Sequence, residues 1–177
     1  LVAIGGVEAI HVEDAGGILT PERIKTLLPA IERECKGVSI EVHAHCNTGL
    51  APLAYLEAVR MGARIVHTAV SPLANGSSLP STENILKNAR RLGYSTNIDA
   101  DALEAVSEHF MKETAASGME RGRPVEHDVF HFEHQVPGGM MGTLMNQLTE
   151  LGMEGRLDEV LEEVSQIRKE LGYPVMA

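Results

Sequence analysis

The sequence has 177 residues, 44% of them hydrophobic, which suits a single ordinary core. Its 15 basic and 25 acidic residues give a formal net charge of −10, which argues against a nucleic-acid surface and against adhesion to anionic lipid. Two cysteines, Cys35 and Cys46, are too few for a disulfide framework, so we expect a reducing, cytoplasmic compartment. No apolar run reaches the roughly 18–20 residues that a membrane span needs.

Strand and helix patterns alternate over the first two-thirds of the chain. Strands are predicted over residues 9–12, 38–45 and 64–70 because each is a short apolar run. Helices are predicted after each strand: one begins at Thr20-Pro21, a capping residue followed by proline, and the others cover residues 50–61 and 82–91. This alternation is typical of βα units around a parallel sheet.

The remainder of the chain has a different pattern. A helix is predicted over residues 101–117, followed by a linker and then a Pro-Gly-Gly turn at residues 137–139 that leads into another helix. The last predicted helix, from about residue 157 to 171, carries its apolar residues on one face. No helix-to-strand alternation is expected here.

Polar side chains cluster at the predicted strand ends, where parallel α/β folds place their functional sites. Glu13-Asp14 ends the first strand, and His43 and His45 lie at the end of the second, one residue apart. Residues i and i+2 of a strand share a face, and imidazole is the commonest ligand for divalent transition metals. We therefore predict a metal site at His43 and His45, with a carboxylate from the neighbouring strand; two ordinary strand histidines are the alternative.

The other candidate residues have simpler interpretations. His11 and His67 are interpreted as packed scaffold histidines. Cys46 could be a nucleophile, but it has no activating partner in the sequence beyond His45 and is interpreted as a small buried residue. The histidines near the predicted linker are interpreted as solvated or structural: His127, His131 and His134.

Four segments carry a further pattern: "HVEDAGGILTP", "VHAHCNTG", "ARIVHTAVSPLANGSSLPS" and "HQVPGGMMGTL". Together they resemble the carboxyltransferase domains of biotin-dependent enzymes, such as those of pyruvate carboxylase, oxaloacetate decarboxylase and transcarboxylase. These domains belong to the metal-dependent (β/α)8 barrels that include HMG-CoA lyase. The His-x-His before Thr-Gly is shared across that superfamily, whereas the Pro-Gly-Gly segment is more specific to the carboxyltransferases.

The resemblance implies that residues 1–118 are the C-terminal portion of a (β/α)8 barrel, about its last three βα units. Residues 119–177 would be a linker and the start of a helical extension of the carboxylase type. A full barrel takes about 250 residues, and a three-stranded piece would leave a sheet edge unpaired. We therefore expect the chain to be part of a longer polypeptide, or to pack against another chain that supplies the N-terminal half of the barrel.

In the family that the chain resembles, the metal is held by an aspartate on the first strand, a carbamylated lysine on the sixth and two histidines on the seventh. The histidines correspond to His43 and His45, and the lysine position is occupied by Glu13. A carbamate presents a carboxylate-like anion, and a glutamate supplies one on a shorter arm. The expected metals are zinc, manganese or cobalt.

The Pro-Gly-Gly segment of that family continues with a Ser or Thr whose hydroxyl relays a proton between biotin and the keto acid. Here Gly142 occupies the hydroxyl position and Thr143 follows it, so Thr143 is the candidate catalytic hydroxyl. One residue on a helix is a rotation of about 100 degrees, which predicts a displaced relay.

The resemblance implies carboxyl transfer between carboxybiotin, on a separate carrier domain, and an α-keto acid of the pyruvate or oxaloacetate type. We also expect a homo-oligomer. Two other functions stay open at this point: an aldolase-type C–C lyase of the same superfamily, and a catalytically silent subunit that serves assembly.

Overall fold

The computed structural model describes residues 5–176 and contains a parallel sheet of three strands in the order β1-β2-β3. The strands are β1 (Ala9–Asp14), β2 (Ser39–Ala44) and β3 (Ile65–Val66). In the register of β1 and β2, Glu13 pairs with His43. The predicted parallel strands are confirmed, but β3 is shorter than expected because the chain beyond it contacts Ser81 through a single bridge at Ala69.

Helices follow each strand and then dominate the C-terminal part. Three of them complete the βα units: α1 (Pro21–Glu34), α2 (Ala51–Arg60) and α3 (Thr82–Arg91). The others are α4 (Ala100–Ser117), α5 (His131–His134), α6 (Gly138–Glu150) and α7 (Leu157–Glu170). The sequence did not predict α5, whose four residues are too few for a helical period.

Local capping explains where these helices begin. The hydroxyl of Thr20 accepts a hydrogen bond from the backbone N–H of Arg23, and Pro21 occupies the first turn of α1. The hydroxyl of Ser81 accepts from the N–H of Asn84 at the start of α3 in the same way. These caps satisfy donors that have no partner within the helix.

The core lies between one face of the sheet and the helices α1 and α2. Val42 and Ala44 of β2 are fully buried against Ile24 of α1 and Tyr55 of α2. The Tyr55 hydroxyl accepts a 2.8 Å hydrogen bond from the N–H of Ala44, which fixes α2 to the carboxyl end of β2. The residues that alternate with these core residues, among them Glu13 of β1 and His43 of β2, consequently lie on the opposite face of the sheet. We call this the open face.

The segment between α4 and α6 crosses the loops at the carboxyl ends of the strands. The backbone N–H of Gly122 donates to Pro72, and the N–H of Gly138 donates to Ala15. The C-terminal part of the chain is therefore packed over the edge of the sheet where a site is predicted. Among the described residues, 5–176, no helix is both long and apolar enough to cross a membrane.

Candidate metal centre

His43 and His45 lie on the open face, as the spacing predicts. The residues that alternate with them, Ala44 and Cys46, are almost fully buried in the core, so the two imidazoles point away from it. Their ring centroids are 5.3 Å apart. His43 belongs to β2, and His45 directly follows its last residue.

The ring of His45 is held by the loop before α3. Its Nδ1 lies 2.6 Å from the carbonyl oxygen of Ser77. A carbonyl only accepts hydrogen bonds, so Nδ1 must carry the hydrogen and the Nε2 lone pair is available. The same loop is tied to the strand end, since the N–H of Cys46 donates to the carbonyl of Ser78. Metal-binding histidines characteristically donate their second ring N–H in this way.

Glu13 is also on the open face, beside His43 in the register of the two strands. Its carboxylate lies 3.5 Å from Nε2 of His11, and its side chain is 59% exposed. Glu13 therefore has the freedom to turn toward a cation near the strand end, but in this structure it contacts another histidine.

The neighbouring carboxylate, Asp14, has a different role. Its two oxygens accept hydrogen bonds from the backbone N–H groups of Ile18 and Leu19, at 3.0 and 2.7 Å. Burial raises the pKa of Asp14, and these backbone donors oppose that shift. Asp14 therefore anchors the loop between β1 and α1 and is not a candidate ligand.

His11 and His67, interpreted from the sequence as scaffold, adjoin His43 on the open face. One ring nitrogen of each of the three lies within 4.8 Å of the other two, and within residues 5–176 this is the one group of His, Cys, Asp or Glu side chains with that spacing. Partial burial lowers the pKa of His43, with the neighbouring imidazoles acting in the same direction and Glu13 against it. The sequence did indicate that His11 shares a face with His43. His11 and Glu13 alternate with core residues along β1, as Glu41 and His43 do along β2.

The Pro-Gly-Gly turn brings the start of α6 against His45. A Cβ added at Gly138 would lie 2.5 Å from the Ser77 carbonyl oxygen and 3.0 Å from Nδ1 of His45, so only glycine fits without displacement. The next residue, Gly139, has no such neighbour. The glycine that follows Pro137 thus permits close contact between α6 and the imidazole.

Thr143, the predicted catalytic hydroxyl, lies on the exposed part of α6. Its Oγ1 donates to the carbonyl oxygen of Gly139 at 3.2 Å, one turn earlier in the same helix. A Cβ at position 142 would contact nothing within 4 Å. The structure therefore leaves room for a hydroxyl at Gly142.

The remaining candidates are structural. Nε2 of His131 is 2.6 Å from the Gly16 carbonyl, and Nδ1 of His134 accepts from the N–H of Val136. Nδ1 of His127 is 2.9 Å from the Thr48 carbonyl. Burial raises the pKa of Cys46 to about 12, which leaves its thiol protonated and unreactive at neutral pH.

Two family models match the chain. The model described as HMGL-like matches residues 1–109, and the one described as a conserved carboxylase domain matches residues 132–177. The matched segments correspond to the βα units with the start of α4, and to the helices that follow the linker.

Similar proteins include a pyruvate carboxylase subunit of Methanocaldococcus jannaschii, 37% identical over 96% of this chain. The methylmalonyl-CoA carboxyltransferase 5S subunit of Propionibacterium freudenreichii subsp. shermanii is 30% identical, also over 96%. This chain spans 30% and 34% of their respective lengths. The carboxyl transferase domain of Rhizobium etli pyruvate carboxylase, solved with pyruvate and biocytin, superposes with a TM-score of 0.85 at 25% identity, over 96% of this chain and 28% of that one.

Proposed function

The chain belongs to the HMGL-like family, and from this premise we propose that it is the metal-binding part of a biotin-dependent carboxyltransferase that acts on an α-keto acid. The single observation that carries the proposal is the placement of His43 and His45 on one face at the carboxyl end of β2, with the Pro-Gly-Gly turn packed against His45. The names of its relatives, pyruvate carboxylase and methylmalonyl-CoA carboxyltransferase, support transfer over an aldolase-type reaction.

We propose His43 and His45 as two ligands of a zinc, manganese or cobalt ion, with Glu13 as a carboxylate at the neighbouring strand end. The donor set fits such an ion, because imidazole and carboxylate suit all three metals. The hydrogen bond from His45 to Ser77 supports the assignment, since it leaves Nε2 with a free lone pair. When bound, the ion would supply Lewis-acid stabilisation of the enolate of the keto acid.

In the proposed reaction, a C–H proton of pyruvate passes to a ring nitrogen of biotin while the carboxyl group passes from that nitrogen to the carbon. Thr143 is the hydroxyl that we propose for this proton transfer. Its present partner is the carbonyl of Gly139, so it must leave that contact in order to act. We therefore expect a relay that functions below its optimum.

We also propose that the two parts of the chain divide this work. Residues 1–118 carry the metal ligands, as the C-terminal portion of a barrel, and residues 119–177 hold the candidate relay on the helical extension. The contacts of Gly122, His131 and Gly138 with the strand-end loops support this arrangement, because they bring the extension over the ligands.

The proposal is tested with the enzyme that contains this chain, by following transfer of the carboxyl group from oxaloacetate to free biocytin as pyruvate forms. We expect pyruvate formation that requires both biocytin and a divalent metal. Metal-dependent cleavage that does not respond to biocytin would instead indicate a C–C lyase, and absence of both reactions would indicate a silent subunit.

A further inference from the structure

The open face carries more than the proposed ligands. Glu41 and His67 lie beside His43, on the same strand and on the segment after β3, and neither has a part in the proposed reaction. Both are partly shielded, with side chains 25% and 31% exposed. His67 contacts both Glu41 and His43, so it connects the Glu41 carboxylate to the imidazole of His43.

Two distances define this chain of contacts. Nε2 of His67 lies 3.3 Å from a carboxylate oxygen of Glu41. Nδ1 of His67 lies 3.3 Å from Nδ1 of His43. Each nitrogen of His67 thus has one partner.

The hydrogen positions follow from what each partner can do. An ionised carboxylate only accepts, so Nε2 of His67 carries a hydrogen and its Nδ1 is an acceptor in the neutral ring. Two Nδ1 atoms in contact need one hydrogen between them, which must then belong to His43. The Nε2 of His43 consequently has a free lone pair. The Nε2 of His45 has one too, because its Nδ1–H is the atom that donates to the Ser77 carbonyl.

We propose that Glu41 and His67 are positioning residues that hold His43 in its Nδ1–H tautomer, so that His43 and His45 offer matching Nε2 lone pairs to one divalent metal. This inference rests on the proposed function for the identity of the ligands. Residues that accept a hydrogen bond from a metal-binding imidazole fix its tautomer and orientation, and their loss typically weakens metal affinity by about 10–100-fold.

The main alternative is a metal ion bound by His11, His43 and His67 instead of by His43 and His45. Ligands of a tetrahedral zinc ion at about 2.0–2.1 Å lie about 3.3–3.4 Å apart, which the separation of the two Nδ1 atoms also matches. An ion bound between these two Nδ1 atoms, with His11 as a third ligand, would bind Nδ1 of His43 and would not need His45. The tautomer of His43 and the effect of each histidine on metal binding separate the two arrangements.

The first measurement is the tautomer of His43 in metal-free protein, read from nitrogen shifts of ¹⁵N-labelled histidine with assignments from single variants. We expect the Nδ1–H form in the wild type, and release toward the Nε2–H form in His67→Ala. His67→Gln should restore the Nδ1–H form in part, because its amide oxygen can accept the same hydrogen. An Nε2–H form in the wild type, or no change in His67→Ala, overturns the proposal.

The second measurement is zinc affinity by competition with a chelator. We expect one ion per chain in the wild type, the same stoichiometry with about 10–100-fold weaker binding in His67→Ala, and partial recovery in His67→Gln. Loss of the ion in His67→Ala together with full retention in His45→Ala would overturn the proposal in favour of the three-histidine site. A wild type that binds no ion would contradict the proposed function, whereas the tautomer result still decides this inference.

Discussion

The hydroxyl of Thr143 on α6 lies one position after Gly142, where the proposed proton relay requires a hydroxyl. Moving the hydroxyl to position 142 therefore tests the relay. Gly142→Thr places a hydroxyl where a Cβ meets nothing within 4 Å, so the fold should accept it. We expect this variant to transfer the carboxyl group faster than the wild type, by about 10-fold or more, since a positioned proton-transfer group contributes about 10²–10⁴-fold when well placed.

The matched variant for that test is Thr143→Ala, which removes the hydroxyl now bonded to Gly139. It should lower the wild-type rate only modestly, and it should leave the rate of Gly142→Thr unaffected. Steady-state rates of pyruvate formation measure both. A Gly142→Thr variant no faster than the wild type would mean that proton transfer does not pass through this part of α6.

The sequence predicts two residues of the candidate centre, and the structure places two further histidines beside them. His43 and His45 were predicted as ligands because strand period and strand end coincide there, and they remain predictions that the structure makes geometrically possible. The sequence indicates a scaffold role for His11 and His67, and it does not indicate that both lie beside His43. Their proximity to His43 depends on strand order and register, which no single segment of sequence specifies.

At the scale of elements, the contact between α6 and His45 depends on one glycine. Gly138→Ala would place a methyl group 2.5 Å from the Ser77 carbonyl and 3.0 Å from the His45 ring. We expect a loss of about 1–3 kcal/mol in the free energy of unfolding, as for other overpacked sites, together with weaker metal binding.

Gly139→Ala is the control for that substitution, because its Cβ meets nothing within 4 Å. It should leave stability unchanged or raise it by up to about 1 kcal/mol, since alanine is a better helix former than glycine. Urea unfolding of the two variants compares them. Equal stability of Gly138→Ala and Gly139→Ala would show that α6 does not approach His45 this closely.

The short helix α5 gives the protein a predicted sensitivity to acid. Burial lowers the pKa of His134 to about 4 from its usual 6.5, with His131 acting in the same direction. Its Nδ1 accepts from the N–H of Val136, and protonation there breaks that bond. The unfolded chain takes up this proton first, so the contribution of His134 to stability is complete above pH 6.5 and is lost as the pH falls to about 4.

The loss should amount to roughly 3 kcal/mol at most, at 1.36 kcal/mol for each pKa unit. The free energy of urea unfolding, measured between pH 7.5 and pH 4.5, provides the test. His134→Gln should flatten the dependence on pH, whereas His109→Gln, at an exposed position of α4, should not. Parallel curves for the wild type and His134→Gln would show that another group causes the acid response.

The helices were more predictable from the sequence than β3 was. Residues 82–91 were predicted as a helix and form α3, because Ser81 caps a segment with a regular apolar face. The strand predicted over residues 64–70 pairs only at Ile65–Val66, since the chain then turns toward Ser81. That turn is a tertiary contact, which strand propensity does not report.

At the scale of the whole molecule, the described sheet has two strand edges without a partner, on the outer sides of β1 and β3. The chain also spans only 30% of the length of the M. jannaschii relative. A longer protein that adds βα units should cover these edges, because unpaired strand edges are ready templates for pairing.

Amide hydrogen exchange distinguishes the covered and uncovered states. The N–H of His67 already donates to the carbonyl of Val42, so the N–H groups that face away from β2 are those of Val66 and Thr68. We expect these two amides to exchange faster in this chain by itself than in a protein that contains the further units of the barrel. The amide of Val42 should differ much less, because Val42 is paired with Val12 of β1 on one side and with Val66 of β3 on the other. Equal exchange at Val66 and Thr68 in the two proteins would contradict completion of the sheet at this edge.

We expect metal-dependent carboxyl transfer to require the imidazole pair, His43 and His45, at the carboxyl end of β2. The test is pyruvate formation from oxaloacetate and biocytin, measured against added zinc, manganese or cobalt in the full-length protein that contains this chain. His45→Ala should need at least about 100-fold more metal than the wild type, because the loss of a mere supporting residue already costs about 10–100-fold. His109→Ala, an exposed histidine of α4, should behave as the wild type does. A rate that is unaffected by chelator, or equal metal dependence in His45→Ala and the wild type, would contradict a role of this imidazole pair in metal binding.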